Sequence, residues 1–109
     1  MTTEYLRYAQ LECAVIVNGK RIRLPHRERE VIEVLSKHPN RVYNREQLEQ
    51  LTGSLAGEDD RDIDGDVKRL RARLKRNGVK VGRLWPIETV YGIGYCAPGI
   101  IRIDEGDET

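Results

Sequence analysis

Apolar and polar positions alternate along the first quarter of the chain. Residues 11–17 are rich in aliphatic side chains, and residues 21–24 alternate between polar and apolar ones. Asn18-Gly19 between them is typical of a two-residue hairpin turn, because both residues tolerate a positive φ. Residues 6–8 also alternate, which predicts an edge strand. The pattern therefore predicts an N-terminal antiparallel β platform.

The apolar spacing then becomes helical. A first helix is predicted to begin at Pro25 and to end at residues 38–40, because the residue before a proline avoids the α region. A second, short helix begins at Asn44, whose side chain can cap the amide of Gln47 in a variant of the capping box. Its buried side is predicted to include Leu51. These two helices follow the platform directly.

The third helix has the clearest periodicity in the sequence. Four apolar residues recur on one narrow face, namely Ile63, Val67, Leu70 and Leu74. The acids of residues 58–60 are placed to cap its start, and Asn77-Gly78 is a stop signal. Two short strands, 87–90 and 95–97, follow with a glycine-bearing connection between them. This pattern predicts an α+β domain with three helices and a C-terminal β hairpin, the layout of a winged helix-turn-helix.

Length and composition limit the class of protein. The chain has 109 residues, 39% of them hydrophobic and 34% charged, which suits one small domain with a charged surface. Its apolar runs fall short of the ~20 residues of a membrane span, and its start lacks a signal-peptide profile. We expect one domain over residues 1–99 and a flexible acidic tail over residues 100–109, in a cytoplasmic protein that does not contact membranes.

The distribution of charge is more informative than the total. The net charge is +1, yet residues 67–87 contain eight basic residues and no acid. A segment of one sign within a folded region is a candidate electrostatic footprint for nucleic acid. The alternative is a solvated helix face with no ligand.

The third helix presents cations and small residues opposite its apolar face. A helical wheel places these six residues there: Arg61, Gly65, Lys68, Arg69, Ala72 and Arg76. A glycine in an exposed helix costs about 1 kcal/mol relative to alanine, so Gly65 indicates close approach to a major groove, or else a local bend. Asp62 and Asp66 flank this face. Asp66 is predicted to pair with Arg69, and Asp64 to reach Arg71.

Signals for catalysis or for a bound cofactor are lacking. The two histidines have no nucleophile partner, and the Gly92-x-Gly94 pair is not followed by a helix that could bind phosphate. Cys13 and Cys96 fit no zinc spacing and are expected to be buried, reduced thiols. We therefore expect neither an enzyme nor a metal or cofactor site.

Three sequence blocks resemble a known family. The strings HPNRVYNREQLEQLTG, RDIDGDVKRLRARL and ETVYGIGY are similar to the signature blocks of the OmpR/PhoB-type winged-helix DNA-binding domain. That domain is the output half of many bacterial two-component response regulators, and the resemblance runs from about residue 11 to residue 97. It implies that the third helix, about 61–76, enters the major groove of double-stranded DNA. The hairpin, about 87–97, would be a wing on the minor groove or backbone.

The resemblance also implies roles for individual residues. In the third helix, Gly65 and Arg69 match base-contacting positions, and Asp64 matches a near-standard aspartate. Backbone-contacting positions are matched by Arg61, Asp62, Lys68 and Arg71, and Ala72 and Arg76 belong to the same DNA-facing set. The wing contributes Thr89, Tyr91 and Gly92, with Gly94 and Tyr95 completing a G-x-G-Y motif. The loop that faces RNA polymerase in the family corresponds to residues 53–60, including Gly53, Ser54, Leu55, Glu58 and Asp59.

This chain departs from the family pattern at three functional positions. Gly65 and Asp66 replace bulky or polar residues, and Tyr91 replaces a wing cation. These changes predict weak binding to a single half-site and a need for tandem protomers on direct repeats. The sequence includes no receiver domain, and both a stand-alone regulator and an output domain remain open. The function predicted is sequence-specific transcription regulation, the alternative being a winged-helix module that binds a protein such as RNA polymerase with little DNA specificity.

Overall fold

A β platform precedes three helices, and a β hairpin and one further strand follow them. The computed structural model describes residues 6–52 and 62–103. The platform begins with β1 (Leu6–Ala9), a 3₁₀ turn (Gln10–Glu12), β2 (Ala14–Val17) and β3 (Lys20–Arg23). The helices are α1 (His26–Lys37), α2 (Arg45–Leu51) and α3 (Ile63–Arg76), followed by β4 (Glu88–Val90), β5 (Gly94–Cys96) and β6 (Ile100–Ile103). The predicted α+β class and winged-helix layout are confirmed.

The platform is a four-stranded mixed sheet in the order β3-β2-β1-β6. The predicted β2–β3 hairpin is present, and Asn18 and Gly19 have φ values of 51° and 78°. The predicted N-terminal strands pair antiparallel as expected, β1 with β2 and β2 with β3, but the prediction that residues 6–8 form an edge strand is wrong. β1 lies inside the sheet, antiparallel to β2 and parallel to β6, because the C-terminal strand returns to pair with its free side.

The predicted domain boundary at residue 99 is too early. Residues 100–103 form β6 rather than the start of a tail, and Ile100 is buried in the core. Arg102 holds β6 against α1 by donating to the Glu33 carboxylate at 2.6 Å. The amide of Leu6 bonds to the Gly99 carbonyl at 2.8 Å, which ties the start of β1 to the residue that precedes β6. The rest of the predicted tail lies outside the described residues.

The first two helices begin where their capping signals predict, and α1 also ends as predicted. Pro25 precedes α1, and His38 leaves the helical conformation before Pro39. In α2, the Asn44 side chain accepts from the Gln47 amide at 2.7 Å, and the Gln47 side chain accepts from the Asn44 amide at 2.9 Å. Leu51, expected on the buried side, is exposed.

The apolar face of α3 supplies the centre of the core. Ile63, Val67, Leu70 and Leu74 are all at most 2% exposed, as their spacing predicts. The start of α3 is capped by Asp62, whose side chain accepts from the Gly65 amide at 2.9 Å. The predicted caps at residues 58–60 lie outside the described residues. α3 packs on α1, and its opposite face is left to solvent.

Among the described residues, no helix is both long and apolar enough to cross a membrane.

Candidate nucleic-acid interface

The solvent face of α3 carries the predicted DNA-binding cations. Lys68, Arg69, Ala72 and Arg76 are all exposed, and Gly65 is half-buried near the start of the helix. Because the four apolar positions of α3 are held in the core, this face is directed away from it. Arg61, the sixth predicted member, lies outside the described residues. The helical wheel therefore located the exposed face correctly.

Asp66 does not lie on that exposed face, contrary to the sequence prediction. Its side chain is fully buried, and its carboxylate accepts from the Arg69 guanidinium at 2.7 Å. The predicted Asp66–Arg69 pair is therefore confirmed, but the carboxylate is covered by the protein. The pairing compensates much of its charge and fixes one side of an otherwise exposed arginine.

The structure explains the glycine at position 65 by a contact that the sequence did not reveal. A Cβ added to Gly65 would lie 2.0 Å from Oδ2 of Asp62, the residue that caps α3. The absence of a side chain therefore makes room for the capping carboxylate to fold over the first turn. The predicted close approach to a groove is compatible with this packing and stays a prediction.

Arg71 connects α3 to the wing. Its guanidinium donates to the Ile87 carbonyl at 2.6 Å and to the Thr89 hydroxyl at 2.7 Å, and it lies over the Tyr95 ring. Burial lowers the pKa of Arg71. Arg71 and Thr89 are both predicted DNA-contacting residues, and the structure brings them together in one contact between α3 and the wing.

Asp64 joins three elements, but not through the predicted contact with Arg71. Arg45 at the start of α2 donates to the Asp64 carboxylate at 2.8 Å, and the Tyr95 hydroxyl of β5 donates to it as well. These bonds, the one from Tyr95 foremost, lower the pKa of Asp64. Burial and the bond to Asp64 raise the pKa of Tyr95 to about 12.

Arg45 was missed by the sequence analysis. Its partner Asp64 is 19 residues away along the chain, so neither helical periodicity nor a local motif could indicate the contact. A cavity of about 350 Å³ opens beside this contact, between α2, α3 and the wing. Its walls are formed by Arg45, Asp64 and the wing residues 89–95.

The wing tip (Tyr91, Gly92 and Ile93) is exposed and largely apolar. The Ile93 amide bonds to the Val90 carbonyl at 3.0 Å, and Gly92 has a φ of 77°. This is the pattern of a type II turn, which requires a positive φ at its third residue. The guanidinium of Arg83 lies over the Tyr91 ring, 5.3 Å from its centroid.

The basic segment divides into internal and exposed members. Arg71 contacts the wing, and Arg73 donates to the nearly buried Glu28 of α1 at 2.7 Å. The bond to Glu28 raises the pKa of Arg73. The other six cations of residues 67–87 are exposed: Lys68, Arg69, Lys75, Arg76, Lys80 and Arg83. The exposed electrostatic footprint therefore contains six cations instead of the eight basic residues counted in the sequence.

The structure places no metal-binding cluster at this face. No group of three or more His, Cys, Asp or Glu side chains that could hold an ion occurs within residues 6–52 and 62–103. Cys96 is buried and Cys13 half-buried, and both are free thiols. The predicted polymerase-facing residues, Gly53, Ser54, Leu55, Glu58 and Asp59, lie outside the described residues.

Comparison with known proteins identifies the family. A family model described as "Transcriptional regulatory protein, C terminal" matches residues 19–97. The heme response regulator HssR of Staphylococcus aureus is 35% identical over 96 residues, covering 87% of this chain and 41% of HssR. The chain thus spans about two-fifths of the length of this curated relative.

Solved structures share the fold. The DNA-binding domain of the response regulator AdeR, solved in complex with an intercistronic region, has a TM-score of 0.69 at 19% identity and covers 89% of this chain and 97% of its own. The DNA-binding domain of Bacillus subtilis CssR has a TM-score of 0.58 at 28% identity and covers 84% of this chain and 98% of its own. The family is one of transcription regulators and not of enzymes. The chain belongs to the OmpR/PhoB-type family of transcriptional regulatory C-terminal domains, the DNA-binding output domains of response regulators.

Proposed function

We propose that this domain recognises a specific sequence in double-stranded DNA, with α3 in the major groove and the wing on the adjacent minor groove or backbone. The observation that supports this most directly is the exposed face of α3, where Lys68, Arg69 and Arg76 surround the small Ala72. A major groove is wide enough to admit a helix, and a small side chain at the centre permits close approach. The cations then meet phosphates on both sides.

Arg69 is the best candidate for a residue that reads a base. Its guanidinium is held at one end by the buried carboxylate of Asp66, while its side chain remains 56% exposed. A guanidinium fixed in this way presents its remaining N–H groups in a defined direction, as a bidentate contact with a guanine edge requires. Lys68 is a flexible point charge, which suits a phosphate.

The wing and the helix start complete the proposed interface. The Thr89 hydroxyl accepts from Arg71, which leaves its own proton to donate to a phosphate. Tyr91 and Gly92 lie at the exposed end of the wing. Gly65 and the two residues that precede α3 in the sequence, Arg61 and Asp62, complete the proposed DNA-facing set. Arg71 supports this set by holding the wing beside α3.

The test begins with selection of bound sequences from a random duplex pool. Affinity for the best site is then measured over a range of salt concentrations. Because phosphate contacts release counterions, the slope of log K against log salt should be about −0.9 for each phosphate contacted, several units in all. A flat response would overturn the proposal and favour the protein-binding alternative.

Two variants separate base reading from backbone contact. Arg69→Ala should cost about 1–3 kcal/mol on the selected site and relax the preference at one base position. Lys68→Ala should weaken binding to all sequences alike and reduce the salt slope by about one unit. Lys20→Ala, which removes an exposed cation from the platform hairpin, serves as the control. Equal, sequence-blind losses from Arg69→Ala and Lys68→Ala would show that Arg69 does not read a base.

We also propose that two protomers bind direct repeats. Gly65 contributes no side chain to the reading face, and Tyr91 brings no charge to the wing, so a single half-site should be bound weakly. Linking two weak contacts multiplies affinity. A direct repeat spaced by about one helical turn should therefore bind cooperatively, as measured by gel shift against a single half-site. Nanomolar binding to one half-site at physiological salt would contradict this.

For the whole protein, we propose a regulator in the bacterial cytoplasm that also contacts RNA polymerase through residues 53–60. This proposal is supported by the family and by the acidic composition of that segment. A photo-crosslinking amino acid at position 55 should capture a polymerase subunit when the protein is bound to its DNA site. Capture that is the same with and without the DNA site would contradict a role at the promoter.

A further inference from the structure

The wing tip exposes two large apolar side chains at the end of a well-defined turn. Tyr91 is 73% exposed and Ile93 59% exposed, on either side of Gly92. Isolated apolar residues on a surface need no explanation, but here two project together from the narrow end of a hairpin. The backbone bond between the Ile93 amide and the Val90 carbonyl fixes their spacing.

An exposed cation lies beside the wing tip. Arg83 lies over the Tyr91 ring, and residues 67–87, which lead into the wing, contain no acid. The acids nearest to the wing already have partners: the Glu88 carboxylate accepts from the Cys96 thiol at 3.5 Å, and Asp64, which lines the adjoining cavity, is paired with Arg45. An apolar tip with an exposed cation beside it fits a partner that is apolar inside and negative at its edges.

The wing is also held in a definite place beside α3. Arg71 bonds from α3 to both Ile87 and Thr89, and Tyr95 bonds from β5 to Asp64 in the first turn of α3. The wing tip is therefore positioned relative to the cationic face of α3 before any ligand binds. A duplex whose major groove receives that face presents its sugar-lined minor groove next to it.

We propose that Tyr91 and Ile93 enter the minor groove as an apolar contact, packing on deoxyribose and base edges and bending the duplex, while Arg83 meets a flanking phosphate. This inference rests on the proposed function and adds the chemistry of the wing contact. Apolar side chains inserted into a minor groove open base steps and kink the duplex toward the major groove. Flexible pyrimidine–purine steps at the wing position should therefore be preferred.

Salt dependence distinguishes this contact from a cationic wing. An apolar contact releases no counterions, so its loss should weaken binding at every salt concentration without changing the slope. Removal of Arg83 should instead reduce the slope by about one unit. Stacking of one aromatic side chain on nucleic acid has a strength that corresponds to roughly tenfold or more in affinity.

The experiment uses the full 109-residue chain and the selected duplex, labelled for fluorescence anisotropy and for end-to-end energy transfer. We expect Tyr91→Ser combined with Ile93→Ser to weaken binding roughly tenfold or more, to keep the salt slope, and to reduce DNA bending. Tyr91→Phe should retain binding, because the ring and not the hydroxyl makes the contact. Ile101→Ser, which alters an exposed apolar residue on β6, is the matched control.

The possible outcomes are distinct. Wild-type affinity or unchanged bending in the double variant overturns the inference, as does a change in its salt slope. So does self-association of the wild-type chain that the double variant abolishes, since the wing tip would then bind a second copy. Failure of the wild-type chain to bind duplex with a steep salt response is a different result, because it overturns the proposed function itself.

Discussion

Gly65 and Asp62 form one local unit at the start of α3. The Asp62 carboxylate accepts from the Gly65 amide, and the space that a side chain at position 65 would fill is taken by that carboxylate. A cap of this kind contributes about 1 kcal/mol, which is close to what alanine gains over glycine within a helix. The two effects therefore oppose each other at this position.

A double-mutant cycle should reveal this opposition. Gly65→Ala alone should leave the free energy of unfolding nearly unchanged, because the gain in helix propensity is offset by displacement of the cap. In an Asp62→Ala background the cap is already absent, so Gly65→Ala should stabilise the domain by about 1 kcal/mol. Urea unfolding of the four proteins measures this. Equal effects in both backgrounds would mean that the two residues are independent.

At the scale of elements, exposed and half-buried polar contacts decide how the wing and the helices are joined. Asp64 receives hydrogen bonds from Arg45 of α2 and Tyr95 of β5, and Arg71 bonds to the strand residues beyond α3. One member of the basic segment, Arg71, is thereby used in a contact within the protein. The position of α3 relative to the wing depends on these contacts of Asp64 and Arg71. A bound duplex would touch both elements, so the same contacts shape the proposed interface.

Arg71→Ala should loosen the wing rather than remove a phosphate contact. The Ile87 carbonyl and the Thr89 hydroxyl would lose their donor, which should cost about 1–3 kcal/mol of stability. Amide exchange in β4 and β5 should accelerate, and DNA affinity should fall with little change in the salt slope. Arg76→Ala, at an exposed position of the same helix, should instead reduce the salt slope and leave amide exchange in β4 and β5 unchanged. A slope reduced by a full unit in Arg71→Ala would instead identify a phosphate contact.

At the scale of the whole molecule, β6 joins the end of the chain to its beginning. It pairs with β1, buries Ile100 and places Arg102 on Glu33 of α1. Four of the 18 acidic residues of the sequence follow it within residues 104–109, and without these four the net charge would be +5 instead of +1. The C-terminal ten residues therefore contain a structural part and a charged part.

Two truncations should separate these parts. Deletion of residues 104–109 should leave the melting temperature unchanged and strengthen non-specific DNA binding at low salt, because four negative charges are removed. Deletion of residues 100–109 also removes the buried Ile100 side chain. Loss of one such side chain costs roughly 2–5 kcal/mol, so this deletion should destabilise the domain by at least that amount. Thermal unfolding and anisotropy with random duplex measure both. Equal stability of the two truncated chains would contradict a structural role for β6.

The sequence by itself determined the three helices, the first five strands and the exposed face of α3, because turn chemistry, helix caps and apolar spacing act over a few residues. It also indicated the family through three short blocks. Only the tertiary structure decided which charged residues face solvent: Asp66 and Arg73 turn inward, and Asp64 meets Arg45 rather than Arg71. It likewise decided that residues 100–103 complete the platform. These contacts join residues far apart in the chain, and their energies depend on burial and on a free strand edge, which exist only once the domain has folded.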